Sequence, residues 1–500
     1  MPPLALPARL RPPFRLRPSF CPRPSFCPSP PADRAACAPK APLPFARRPL
    51  SFLALAVAAA LATLPAQAEA PPPPPDLDPG LIPDPMILMP EGPTNGTVFL
   101  ISGAAGWGGP EAALAARLQH ANAVVVGIDL PAYLAALDAS GKDCVYLVAD
   151  FERMSHALER ATGSETFHAP LVAGLGEGGA LAIDVLAQTP ADTLGGALAA
   201  DPTAGHGLKT PLCTRQARTL GPGGVAYALP AGDQPAPLTV VLGSDARKAA
   251  RARAEALAAA GVSFTRNDSV EPGLEALGDA IAMTLADAAA AGDAPAVVEL
   301  PAKPSRDAMA IMLSGDGGWR DLDKTVAGLL QAQGVPTVGL DSLRWFWSPR
   351  TPEETGAELA RLIDLYAARW GVRRVVLAGY SFGASVIPAA FAAMPPEAQA
   401  RVAAIALLAP GETADWEITV SGWLGSASGA ATPIADPLKA LPQDRLLCIY
   451  GEKETDSACP ALAGSGATLV RTAGGHHFDG DYAALAQHIL DRLDPAQAAQ

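Results

Sequence analysis

Short, unbroken apolar runs alternate with longer stretches of helical period through most of this chain of 500 residues. VFLI (98–101), VVVGI (124–128), LVAGL (171–175), AIMLS (310–314) and RVVLAGY (374–380) are apolar without alternation, as expected for strands covered on both faces. Between them, DLDKTVAGLLQAQG (321–334) and TPEETGAELARLIDLYAARWG (351–371) carry apolar residues at helical spacing. Strand and helix in turn are the mark of an α/β fold, a mostly parallel sheet with helices on both sides.

The pattern occurs twice. TVFLISGAAGWGG (97–109) resembles AMAIMLSGDGGWR (308–320), and AVVVGIDLPAYL (123–134) resembles VPTVGLDSLRWF (335–346). APLVAGLGEGGALAI and LTVVLGSDARK match RVVLAGYSFGASVIP and RLLCIYGEKET in the same way, at an offset of about 210 residues. The sequence therefore predicts tandem α/β domains over 87–290 and 308–500, each a mostly parallel sheet covered by helices, joined by a proline-bearing linker at 291–307.

Residues 1–68 read differently. A Pro- and Arg-rich low-complexity prefix runs into Arg47-Arg48, an apolar run Pro49–Leu64 and the A-x-A site Ala66-Gln67-Ala68. That order is a secretory signal cleaved after Ala68, followed by a Pro-rich linker at 69–86. The rival reading, a membrane anchor, needs a run of roughly 20 strongly apolar residues, and this one is short and Ala-rich. Export is the expectation.

Export changes the charge. The chain carries −13; the prefix holds nine Lys/Arg and one Asp, so its loss leaves about −21. Such a surface excludes direct nucleic-acid binding through its own field and favours a cationic ligand. Four of the seven cysteines lie beyond residue 68. In an oxidising compartment Cys448 with Cys459, and Cys144 with Cys213, are the natural pairs; buried free thiols are the alternative.

The chemistry concentrates in the second copy. Gly379-Tyr380-Ser381-Phe382-Gly383 stands between a strand and a helix, the setting of a nucleophile elbow. A base and an orienting acid should follow. The post-strand loop GEKETDSACP makes Asp456 the first choice of acid, with Glu454 second. GGHHFDGDY provides the base, His476 before His477. An oxyanion hole would take one N–H from Phe382 and another from Asp316 or Gly317, after the first strand of the copy. Trp345 and Trp347, in the post-strand loop RWFW, are candidates to line a substrate pocket with Glu454. The acidic loop residues Asp316, Glu452, Glu454, Asp479 and Asp481 make a negative mouth suited to an acyl group bearing an amine. A metal at His476, His477, Asp479 and Asp481 is disfavoured by the splay of adjacent side chains, and neither a metal nor another cofactor is expected. In the first copy Gly176 replaces the serine, and Glu271 and Pro272 stand opposite the two histidines, so that copy is degenerate.

SGDGGWRDLDK, GLDSLRWFW, AGYSFGASVIP, LLAPGETADWEITVSGWLG and GGHHFDGDY together resemble the bacterial VirJ/AcvB virulence-factor family, over about 308–493. The tandem arrangement is similar to the two-domain AcvB type. This resemblance implies a periplasmic α/β-hydrolase releasing lysine from lysyl-phosphatidylglycerol at the membrane surface, with secretion-system components as further partners. It places the family serine on Ser381, the aspartate on Asp456 and the histidine on His476 or His477. Two other readings stay open: a non-catalytic binding or chaperone module for secretion, and an esterase with no preference for a charged acyl group.

Overall fold

The structure is a computed structural model that describes residues 77–291, 296–419 and 431–494. The expected signal peptide lies outside the described residues. Among those described, no helix is long and apolar enough to cross a membrane.

Two seven-stranded sheets account for the two copies. The first contains β1 (Met86–Leu88), β2 (Thr97–Ile101), β3 (Val124–Ile128), β4 (Leu171–Leu175) and β5 (Gly196–Ala200). A hairpin of β6 (Arg218–Gly221) and β7 (Gly224–Tyr227) stands apart, and β8 (Leu238–Leu242) and β9 (Thr265–Asp268) complete the sheet. The second copy repeats it with β10 (Val297–Leu300), β11 (Ala308–Leu313), β12 (Thr337–Leu340), β13 (Arg374–Tyr380) and β14 (Val402–Leu408). The short pair β15 (Thr413–Ala414) and β16 (Thr432–Pro433) precedes β17 (Leu446–Gly451) and β18 (Thr468–Thr472). Strand orders are β1-β3-β2-β4-β5-β8-β9 and β10-β12-β11-β13-β14-β17-β18, each parallel except for its first strand. This is the α/β-hydrolase order, twice.

Burial follows the sequence pattern. Val375, Val376, Leu377 and Ala378 of β13 are fully buried, two pointing to each face of the sheet, because helices cover both. The expected linkers are partly sheet. Val297–Leu300 pairs antiparallel with β12, and Ile82, within the Pro-rich stretch, is buried in the first core. Pro301 and Pro304 follow the strand instead of interrupting it, which an edge position tolerates. Cys144–Cys213 and Cys448–Cys459 are both disulfide-bonded.

The domains stack head to tail. Loops that precede β4 and β5 meet loops that follow β11 and β12. Trp347 Nε1 donates to Ser164 O (2.9 Å), Ser348 Oγ donates to Glu165 O (2.7 Å), and Arg320 pairs with Glu152 (2.6 Å). The N-terminal edge of the first sheet thus rests against the edge of the second where β-strand C-termini gather. That edge is where an α/β fold places its ligands.

Candidate active site

Ser381 sits directly after β13 and caps the helix Phe382–Ala393 with φ 52° and ψ −115°. An L-residue reaches that conformation only under strain, of order 1–3 kcal/mol, and it throws the hydroxyl clear of the sheet. The flanking glycines make the turn possible. A Cβ at Gly379 would lie 2.6 Å from the Gly383 carbonyl carbon, and one at Gly383 would lie 2.5 Å from Ser314 O. No larger residue fits either place without moving backbone.

His476 arrives from the turn after β18. Its Nε2 lies 2.7 Å from Ser381 Oγ, and its Nδ1 lies 2.7 Å from Glu454 Oε1. A carboxylate can only accept, so Nδ1 carries the proton and Nε2 is left to accept from the serine hydroxyl. The hydrogen bond to Glu454 raises the His476 pKa above its ordinary value, against the opposing effect of burial; the charges of Glu454, Asp456 and Asp316 add to the rise.

The carboxylate that meets His476 is therefore Glu454, the second choice, and not the first-choice Asp456. The backbone turns at once after β17, with Glu454 N donating to Gly451 O at 3.1 Å. The returning side chain accepts from Gly451 N at 2.7 Å and is only 5% exposed. Asp456, two residues further on, is exposed and reaches His476 only through its field. His477 is turned aside: its Nδ1 lies 3.1 Å from Tyr380 Oη, which also donates to His476 O (3.2 Å). Tyr380 was not singled out from sequence, although its place in Gly-Tyr-Ser-Phe-Gly puts it beside the elbow.

Ser381, His476, Asp316 and Gly317 line one cavity of about 220 Å³. Phe382 opens its helix, so its N–H lacks an intrahelical acceptor and is free for an oxyanion. Asp321 and Asp323 line the same space. Asp323 is buried and its Oδ1 has no hydrogen-bond partner; burial pushes its carboxyl well above the usual range. The expected acidic mouth is thus composed differently. Asp481 caps the last helix and Asp479 accepts from Asp481 N (3.0 Å).

Neither of the two tryptophans lines the cavity beside Ser381. Trp347 is 1% exposed, packed in the domain seam against Phe167 and under the Arg160 guanidinium. Trp345 lines a separate cavity of about 910 Å³ between the domains, beside Arg344 and Arg350. The N-terminal domain supplies the cover of Trp347. Among the described residues, no group of three His, Cys, Asp or Glu could hold a metal.

Residues 307–497 match the family described as bacterial virulence protein (VirJ). The VirJ match begins one residue before β11 and contains Ser381, Glu454 and His476, while the N-terminal domain lies outside it. No curated protein matches the chain. Among solved structures, Est1E from Butyrivibrio proteoclasticus with bound ferulic acid is similar at 15% identity and a TM-score of 0.30, over 41% of this chain and 95% of its own. The α/β serine hydrolase XC6422 from Xanthomonas campestris is similar at 17% identity and a TM-score of 0.27, over 40% of this chain and 88% of its own.

Proposed function

We propose that the C-terminal domain is a serine esterase that cleaves the aminoacyl ester of lysyl-phosphatidylglycerol in the periplasm. The observation that carries the esterase reading is the unbroken run Ser381 Oγ, His476, Glu454, with both contacts at 2.7 Å. Ser381 attacks the ester carbonyl while His476 Nε2 takes its proton, and Glu454 stabilises the imidazolium that results. The N–H of Phe382 and one from the Asp316–Gly317 loop receive the negative charge on the carbonyl oxygen. The same imidazolium then gives its proton to the departing glycerol oxygen. Water, activated by His476, releases the amino acid and restores the serine.

The resemblance of the sequence motifs implies the lipid substrate, and the carboxylates of Asp316 and Asp321 around the cavity favour an acyl group that carries ammonium charge. The two disulfides are compatible with export. A fluorophosphonate probe should label the wild type and not Ser381→Ala. Faster hydrolysis of lysylated than of alanylated phosphatidylglycerol supports the charged substrate; equal rates would reduce the reading to a general esterase.

A further inference from the structure

One residue that lines the cavity beside Ser381 contacts the other domain. Arg320 ends the loop Gly315–Trp319 and lines the cavity with Ser381. Its Nη1 lies 2.6 Å from Glu152 Oε1, and 3.4 Å from Thr193 Oγ1, both of the N-terminal domain. Glu152 is 7% exposed, so this pair is shielded from the solvent that weakens surface ion pairs. The guanidinium is not only paired; it lies across Gly317. A Cβ at Gly317 would fall 2.5 Å from Arg320 Nη2 and 2.8 Å from Nε. The loop that offers an N–H to the substrate is thus packed beneath a planar group whose position is fixed from the opposite domain.

The degenerate copy gives an independent check. Its matching loop keeps Ser102, Gly103, Gly106 and Trp107, and Gly106 has φ 85° where Gly318 has 84°. Yet Ala105 stands where Gly317 stands and Gly108 where Arg320 stands. The loop folds without the arginine. Arg320 and its glycine seat occur only in the copy that has a serine to serve.

We propose that the N-terminal domain is a cap that positions the oxyanion loop of the C-terminal site, with Glu152 holding Arg320 over Gly317. The proposal rests on Ser381 as the nucleophile. Glu152 is a positioning residue; it touches no reacting atom. Without its carboxylate the guanidinium turns toward neighbouring Asp321 or solvent, Gly317 loses its cover, and the N–H groups lose their aim. Such a defect acts on the transition state, so kcat falls while KM holds.

The test uses the full chain. Glu152→Gln is expected to lower kcat on an aminoacyl ester about tenfold, with KM within about twofold, since misplacement costs less than outright loss of a donor. Arg320→Lys keeps the ion pair but cannot cover Gly317, and is expected to show the same split. Combined, the two substitutions should be no worse than either alone. Asp192→Asn removes the exposed Lys324–Asp192 pair (3.3 Å) of the same seam and should leave kcat unchanged. Amide exchange of residues 315–321 should quicken in Glu152→Gln and not in Asp192→Asn. Wild-type kcat with unchanged exchange in Glu152→Gln overturns the proposal, as does an equal loss in Asp192→Asn. The exchange result decides the matter even if no ester is cleaved; absence of turnover would then count against the esterase reading alone.

Discussion

Gly176 and Ser381 share one backbone conformation, with φ/ψ of 58/−111° and 52/−115°. Each N–H donates to the end of the next strand, to Ala200 O and Leu408 O, both at 2.8 Å. The first domain has the elbow's backbone with glycine in the serine's place. Nothing lies within 4 Å of a Cβ at Gly176, so Gly176→Ser should fold, at a cost of about 1–2 kcal/mol for a side chain at positive φ. Glu271 and Pro272 stand where the second copy has its histidines. In a Ser381→Ala background this variant is expected to remain unlabelled by a fluorophosphonate; labelling at residue 176 would show that the strained turn alone activates a serine.

What could be read from sequence was what repeats or is local. Apolar runs gave the strands, and Gly-Tyr-Ser-Phe-Gly between strand and helix gave the elbow. The choice of acid depended on a turn: Glu454 N bonding Gly451 O brings residue 454, not 456, back over the strand end. No composition rule registers that. Trp347 misled for another reason, because its cover, Phe167 and Arg160, comes from the other domain. Glu152 lies in no motif and stands 168 residues from Arg320, so only the packed structure joins them.

Glu454→Gln and Asp456→Asn should separate the two acids. Glutamine at 454 can still accept from Nδ1 but leaves the imidazolium without its counter-charge, and kcat is expected to fall by at least about 100-fold. Asparagine at 456 removes only a distant field and should cost less than about threefold. Steady-state kinetics on one aminoacyl ester decides; the reverse order would restore Asp456 as the orienting acid.

The pH profile carries its own sign. His476 acts as base when neutral, and its pKa is raised above the ordinary 6.5, first by the Glu454 hydrogen bond. Activity is therefore lost as pH falls through a value above 6.5, and the acid limb of kcat/KM should lie there. Removing the principal cause lowers the histidine pKa, so in Glu454→Gln the residual activity should have its acid limb at lower pH. A limb that does not move would mean that Glu454 does not govern the base.

Trp347→Ala should act on stability before activity. The indole is 1% exposed, bonds Ser164 O across the seam and lies 4.1 Å below Arg160 Cζ. Deleting a buried tryptophan costs about 3–5 kcal/mol, and this one leaves Arg160 without its ring. A lower thermal midpoint with KM unchanged is the expected pair of results. A raised KM at unchanged stability would return Trp347 to a substrate pocket.

Cys448 lies in β17 and Cys459 at the far end of the loop that carries Glu454, so their bond closes that loop at its base. A ring of this size restricts the unfolded chain by about 2–3 kcal/mol on the chain-entropy view. In the folded state it also limits how far residues 451–458 can wander from His476, although the Gly451 N–H to Glu454 bond (2.7 Å) survives without it. Cys448→Ala/Cys459→Ala is accordingly expected to lower the thermal midpoint clearly and kcat by only a fewfold, with the acid limb of the pH profile in place. Circular dichroism melts and a pH–rate series on the same preparation measure both. A shifted limb would mean that the bridge, and not the turn at Gly451, keeps the carboxylate on the imidazole.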